Sequence, residues 1–238
     1  MPTTTLHFDA ILFDMDGTLV DSTAGVLGAW EIFSKTYPGF HVPDILSSAH
    51  GVRTVENLRR FCGIEDPEEL EREAARFEGA IVSSSKDNGG QGIILLPGVR
   101  EIIDELAPGA KYPTPCWTIC TSATSVYAGK ALAFVGIEIP DAIVYAEDVK
   151  QGKPQPDPYL LGAKRCGVDP KNCLCLVVED APAGVRSGQA AGCKTLGLIT
   201  SHTREQMLAV NPDFLVDNLA SVTMKRAEKG VIVTITTS

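Results

Sequence analysis

Short apolar runs recur along this 238-residue chain at 10–13, 116–120, 142–145, 173–178, 195–199 and 214–216, and helical patterns fill most of the spacing between them. Residues 99–106 follow Pro97-Gly98, 125–134 stop at Gly136, and 183–191 end at Gly192. Residues 158–166 carry Asp157 as N-cap, Pro158 at the first helical position and Gly167 as the stop. A strand buried enough to be wholly apolar, followed by a covering helix, is the unit of a parallel sheet. The alternation therefore predicts an α/β domain with a doubly wound, Rossmann-like parallel sheet covered on both faces.

The rhythm breaks once. From about residue 23 to 92 strand-like runs are missing, while helical patterns persist at 24–36, 54–61 and 67–82. A structureless loop of that length is implausible in a packed domain, so the segment reads as an inserted helical cap, leaving 1–22 and 93–238 as a discontinuous core. Its exit, residues 83–92, is rich in Ser and Gly and reads as a hinge. At the other end, the β-branched run 231–236 is expected to pair with 221–225 across Glu228-Lys229-Gly230 as a terminal hairpin.

Charge narrows the partners. With 21 Lys and Arg against 30 Asp and Glu the chain carries −9, a field that repels nucleic acid. No run approaches the roughly 18 apolar residues of a membrane span. Seven cysteines, odd in number and without CxxC spacing, read as small core residues in a reduced compartment. The first residues show no basic patch followed by an apolar stretch, so a cytoplasmic location is expected. Nothing in the sequence demands an oligomer. A small phosphorylated substrate could bind only against the global field, through local cations, hydroxyls or a metal.

Those groups stand where strands should end. Asp14 and Asp16, two residues apart after the first run, start on the same side of the chain. Glu179 and Asp180 follow the run 173–178 in the same manner. Open α/β sheets place their ligand crevice at the carboxyl ends of strands, and four carboxylates there would repel one another without a cation. They make an all-oxygen set suited to Mg²⁺. Lys153, between Gly152 and Pro154, offers an ammonium whose backbone the proline restricts, and Thr121-Ser122 offers hydroxyl and N–H donors after the second run.

In this order the residues resemble the four motifs of the haloacid dehalogenase superfamily: Asp14-Met15-Asp16-Gly17-Thr18, Thr121, Lys153, and Glu179-Asp180. The resemblance covers nearly the whole chain. It implies Asp14 as a nucleophile that forms an aspartyl-phosphate and Asp16 as general acid and base, with Thr121, Ser122 and Lys153 holding the phosphoryl group. It further implies Mg²⁺ bound by Asp14, the Asp16 carbonyl and Asp180, with Glu179 contributing directly or through water. The second aspartate, Asp16, disfavours dehalogenation, because a departing halide needs no proton.

A narrower likeness is to the fungal branch of 2-deoxyglucose-6-phosphate and glycerol-3-phosphate phosphatases. It is carried by His50-Gly51-Val52-Arg53-Thr54, by Asp148-Val149-Lys150-Gln151-Gly152-Lys153-Pro154, by Glu179-Asp180-Ala181-Pro182-Ala183-Gly184 and by the tail Gly230-Val231-Ile232-Val233. Ala123 departs from the Gly usual there. The implied activity is hydrolysis of small sugar or polyol phosphates, with Arg53 reaching from the cap into the cleft and His50 nearby. A phosphomutase of β-phosphoglucomutase type uses the same four motifs and stays open as an alternative. A noncatalytic sugar-phosphate binder would have no need of a nucleophile.

Overall fold

The chain opens with two strands separated only by Asp9: β1 (Thr3–Phe8) and β2 (Ala10–Phe13). The computed structural model describes residues 2–42, 45, 51–87 and 92–237. All four residues of β2 are buried, as befits a strand flanked on both sides. It pairs in parallel with β5 (Trp117–Ile119) on one edge and with β6 (Cys175–Glu179) on the other. The sheet continues through β7 (Lys194–Leu198) and β8 (Phe214–Val216) in the order β5-β2-β6-β7-β8. From β2 the chain thus moves first to one side and later to the other, which puts the topological switch point at the end of β2.

Alternation along β2 serves two cores. Ala10 and Leu12 join Tyr159 and Ala163 in one buried cluster, while Ile11 and Phe13 join Ile102 and Leu132 in another. The covering helices include α4 (Val99–Leu106), α5 (Ser125–Val135), α6 (Asp157–Arg165) and α7 (Pro182–Ala190), followed by the short α8 (Arg204–Leu208). The expected cap of α6 shifts by one residue. Pro156 occupies the N-cap and Asp157 the first helical position.

One expected strand is not there. Residues 142–145 contribute a single parallel bridge, Val144 to Cys120. Pro140 precedes the run, the Ile143 N–H turns back to the Pro140 carbonyl (3.2 Å), and a 3-10 turn, Ala146–Asp148, begins directly after it. The ladder has no room to extend. The longest strand that was not expected is β1, rich in threonine and exposed along most of its length, which pairs antiparallel with β10 (Val231–Thr236). With β9 (Val222–Arg226) these form a separate three-stranded sheet in the order β1-β10-β9, so the terminal hairpin gains a third strand from the other end of the chain.

The inserted segment leaves and re-enters the core through a two-stranded ribbon. In it β3 (Val20–Asp21) pairs antiparallel with β4 (Ile94–Leu95). Between them lie α1 (Thr23–Thr36), α2 (Thr54–Cys62) and α3 (Pro67–Asp87). Trp30, 1% exposed, meets Phe40, Phe61 and Phe77 edge-on at 5.5, 5.8 and 4.6 Å between ring centroids. Such geometry adds about 0.5–1.5 kcal/mol per pair beyond burial. The Ser-rich part of the expected hinge is helical: α3 runs on to Asp87, with the Ser83 hydroxyl donating back to the Ala80 carbonyl at 3.2 Å. Residues 88–91 of that hinge lie outside the described residues.

Candidate active site

Strand register alone brings the acidic residues together. Phe13 lies opposite Val178 and Ile119, so the next residue on each strand, Asp14, Glu179 and Cys120, reaches the same sheet edge. Gly17 then turns the chain at φ +87°, and a side chain in its place would strike the Asp180 carboxylate. That close approach explains a glycine directly after Asp16.

Lys153 is wholly buried. Its Nζ is ion-paired with Asp14 Oδ1 and lies 2.8 Å from Glu179 Oε1. The Tyr159 hydroxyl, from α6, donates to the same Glu179 oxygen at 2.8 Å. Burial is the largest single influence on Lys153 and works to depress its ammonium. The two carboxylates outweigh burial and hold it above the ordinary lysine range. Glu179 commits its second oxygen to the N–H groups of Asp180 and Ala181, both at 3.0 Å. Expected as a contributor to a metal site, it is placed chiefly as the holder of Lys153, because its four acceptor positions already face protein donors.

Asp14 is different. Its Oδ1 meets Lys153, but its Oδ2 is buried without a hydrogen-bond partner. Burial pushes its carboxyl up, Lys153 opposing and Glu179 and Asp180 adding to the rise. Asp180 accepts from Thr18 Oγ1 at 3.1 Å and from the Ser201 hydroxyl, yet burial and Glu179 still push its carboxyl up to about 7. Oxygens of Asp14, Glu179 and Asp180 all lie within 4.8 Å of one another. Three buried carboxylates against one ammonium leave an excess of negative charge, and an orphaned carboxylate oxygen inside such a set suits a hard divalent cation.

The Asp16 carboxylate does not join that set. It is half-buried and accepts from Ser22 Oγ at 2.6 Å and from the Tyr127 hydroxyl of α5 at 2.8 Å. The two aspartates that leave the strand on one side thus acquire separate partners, one cationic and one hydroxylic. Four carboxylates were expected to converge; three do, because Ser22 and Tyr127 hold the fourth aside.

At the end of β5, Thr121 is buried and its Oγ1 accepts from the Ala123 N–H at 3.0 Å, leaving the hydroxyl hydrogen to be donated elsewhere. Ser122, expected to hold phosphate through its hydroxyl, donates that hydrogen to the Gly51 carbonyl of the insert at 2.9 Å. Ala123 lines the cleft, as its place after Thr121-Ser122 suggests.

Of the insert residues, His50 lies outside the described residues. Arg53 differs from the expectation of a residue reaching into the cleft. Its guanidinium donates to the carbonyls of Ala146 (3.4 Å), Val149 (3.3 Å) and Lys150 (2.8 Å), and its Nε to Glu56 at 2.9 Å. Three carbonyls presented by the loop that carries Lys153 outcompete an open cleft for a planar fork of donors. A side chain on Gly152 would collide with Arg53, so the glycine before the lysine lets the insert dock on this loop.

The cleft itself, a cavity of about 90 Å³, runs from Asp14, Asp16 and Thr121 to Val26, Trp30, Phe77 and Ile81 of the insert. Sequence reading missed Tyr159, Tyr127, Ser201 and Glu78, whose hydroxyls and carboxylate organise the site. Tyr and Ser on helices and in loops carry no local signal, since their partners lie far away in the chain. Glu78, on α3 and 4% exposed, accepts from Thr54 Oγ1 (3.2 Å), from the Thr124 N–H (3.2 Å) and from the Thr124 hydroxyl. Burial pushes its carboxyl above the usual range, and the charge of Asp16 adds to the rise.

A Rossmann-like parallel sheet that gathers buried acidic side chains at its switch point is the layout this chain shares with a class of α/β hydrolases. The chain belongs to the haloacid dehalogenase-like hydrolase family, whose model matches residues 8–192. It is 34% identical to hexitol phosphatase A of Escherichia coli, over 93% of this chain and 96% of that protein. It is 33% identical to glycerol-1-phosphate phosphohydrolase 1 of Saccharomyces cerevisiae, over 93% of this chain and 88% of the relative. A solved β-phosphoglucomutase from Clostridium difficile shares the fold, with a TM-score of 0.71 at 23% identity over 90% of this chain and 92% of the other.

Proposed function

We propose that the protein is a Mg²⁺-dependent phosphomonoesterase acting on small sugar or polyol phosphates, with residues 23–92 as the cap over a core of 1–22 and 93–238. The observation that carries this reading is Asp14: buried, held through one oxygen by Lys153, and with the other oxygen unpartnered at the cleft. The relatives' names supply the substrate class.

In this reading one oxygen of the Asp14 carboxylate attacks phosphorus, and the bond from phosphorus to the ester oxygen breaks. Asp16 gives its proton to the departing alkoxide, so it must enter the cycle protonated; Ser22 and Tyr127 orient it. Asp16 then takes a proton from water, which attacks the aspartyl-phosphate and returns Asp14 as a carboxylate. Lys153 neutralises and Thr121 helps to hold the phosphoryl oxygens, and the Ser122 N–H can add to them. Asp14, Asp180 and the Asp16 carbonyl would hold Mg²⁺, with Glu179 behind them. When bound, the ion supplies positive charge against the repulsion between a carboxylate and a phosphate dianion.

No helix among the described residues is long and apolar enough to cross a membrane. The cysteines are all free thiols, which suits a reducing compartment such as the cytoplasm. The test is phosphate release from a panel of sugar and polyol monophosphates, with Mg²⁺ and with excess chelator. Release that needs the metal is expected. Full turnover in chelator would remove the metal from the scheme, and no release from any phosphomonoester would remove the activity.

A further inference from the structure

The cleft has two ends of different chemistry: at the core end Asp14 is held by the ammonium of Lys153 behind it, whereas none of the described lining residues at the insert end is cationic. Its lining at the insert end combines Val26, Trp30, Phe77 and Ile81 with three polar side chains, Thr54, Asn57 and Glu78. Among the described residues that line the cleft there is no lysine or arginine; Arg53 is turned onto the loop carbonyls. Among the described lining residues of the insert, Glu78 is therefore the charged group that a substrate's far end meets. A carboxylate offers about four acceptor positions and no donor. Thr54 and the Thr124 N–H take two on Oε1 and the Thr124 hydroxyl takes one on Oε2, which leaves an acceptor on Oε2 beside the cleft.

We propose that Glu78 is a specificity-determining residue: it accepts a hydroxyl hydrogen from the carbon chain of the substrate and repels a second anionic group there. The site then takes monophosphates of neutral polyhydroxy compounds and rejects bisphosphates and phosphorylated acids. The inference rests on the phosphatase reading and deepens it. Its physical basis is burial: a hydroxyl hydrogen-bonded to a charged acceptor is favoured in a dry pocket, and two like charges only a few ångströms apart there are strongly disfavoured. It also bears on the phosphomutase alternative, since moving a phosphoryl group between two hydroxyls of one sugar requires the site to hold a bisphosphate with its second phosphate at the insert end.

The experiment compares the full-length wild-type protein with Glu78→Gln and Glu78→Asp, in Mg²⁺. It uses three probes: a hexitol or glycerol monophosphate, p-nitrophenyl phosphate, and a hexose bisphosphate both as substrate and as competitive inhibitor. In the wild type, the bisphosphate should inhibit at least about tenfold more weakly than the monophosphate binds. Glu78→Gln should lower the ratio of polyol to aryl kcat/KM by about tenfold, mainly through KM, as expected for a lost charged hydrogen bond. The same variant should tighten bisphosphate inhibition, a change in the opposite direction that mere loosening of the insert would not produce. Glu78→Asp, which keeps the charge, should keep the bisphosphate weak.

Equal binding of mono- and bisphosphate by the wild type overturns the proposal without needing any variant. An unchanged substrate ratio and unchanged bisphosphate inhibition in folded Glu78→Gln overturn it as well. Failure of the wild type to release phosphate even from the aryl ester would instead remove the phosphatase reading, and this inference with it.

Discussion

The two ends of the cleft are built by different means. The core end is made of groups at strand termini, Asp14, Thr121, Glu179 and Asp180, whose positions follow from the register of β2 with β5 and β6. Its charges are dry and held from several sides. The insert end is made of helix side chains around Trp30, joined to the core by Glu78 against Thr124 and by Arg53 against the loop before Lys153. Strand ends of a parallel sheet cannot shift without breaking the ladder, so they suit chemistry that tolerates little displacement. Helices packed by aromatic side chains can exchange residues on their inner face while keeping that packing. In the proposed scheme, reaction and choice of substrate are thus carried by different kinds of structure.

The comparison is broken most severely at Asp14. Asp14→Asn should abolish turnover of every phosphomonoester, polyol and aryl alike, with an unchanged circular dichroism spectrum. Residual turnover near the wild-type rate would move the nucleophile elsewhere.

Next comes Lys153→Met, which leaves Asp14 and Glu179 facing each other without their cation. Removing one partner of a buried ion pair costs about 3–5 kcal/mol, so the denaturation midpoint should fall steeply along with activity. A midpoint matching wild type would mean that Lys153 does not hold the buried carboxylates of the core end together.

Asp16→Asn should slow turnover by about 10²-fold or more through lost proton transfer. Tyr127→Phe, which removes one hydroxyl that orients Asp16, should have a smaller effect in the same direction. If Tyr127→Phe matched Asp16→Asn, the tyrosine would be more than an orienting group.

The smallest effect sharpens the comparison at the seam. Because Arg53 holds the loop of Lys153, Arg53→Ala should lower kcat/KM by about tenfold for polyol and aryl phosphates equally, in keeping with the loss of charged hydrogen bonds. A loss confined to the polyol substrate would show that Arg53 reaches the substrate itself.

Much of this was legible in the sequence where local signals were strong. The range 99–106 is α4, and the runs at 10–13 and 214–216 are strands β2 and β8 with the same bounds. Pro97-Gly98, Gly136 and Gly192 punctuate the helices around them. The run at 142–145 misled because its four apolar residues read as a strand, whereas a strand needs a ladder, and the flanking turns allow one bridge. Strand β1 escaped notice because threonines exposed on one strand are stabilised only by a partner more than two hundred residues away. Arg53 was legible as a special residue, but not its direction, since three backbone carbonyls of a distant loop decide it.

What the sequence determined by itself is the set of chemical groups and their order: an apolar run closed by Asp14 and Asp16, a lysine between glycine and proline, a second run closed by Glu179 and Asp180, and a helical insert between the first two motifs. Those features depend on composition and spacing, which act locally along the chain. Only the tertiary structure decided how the groups are partnered: that Lys153 lies between Asp14 and Glu179, that Tyr127 takes Asp16 aside, that one oxygen of Asp14 is left bare, and that Glu78 rather than Arg53 faces the cleft. Partnership is set by which charges become buried together, and burial is a property of the folded chain as a whole.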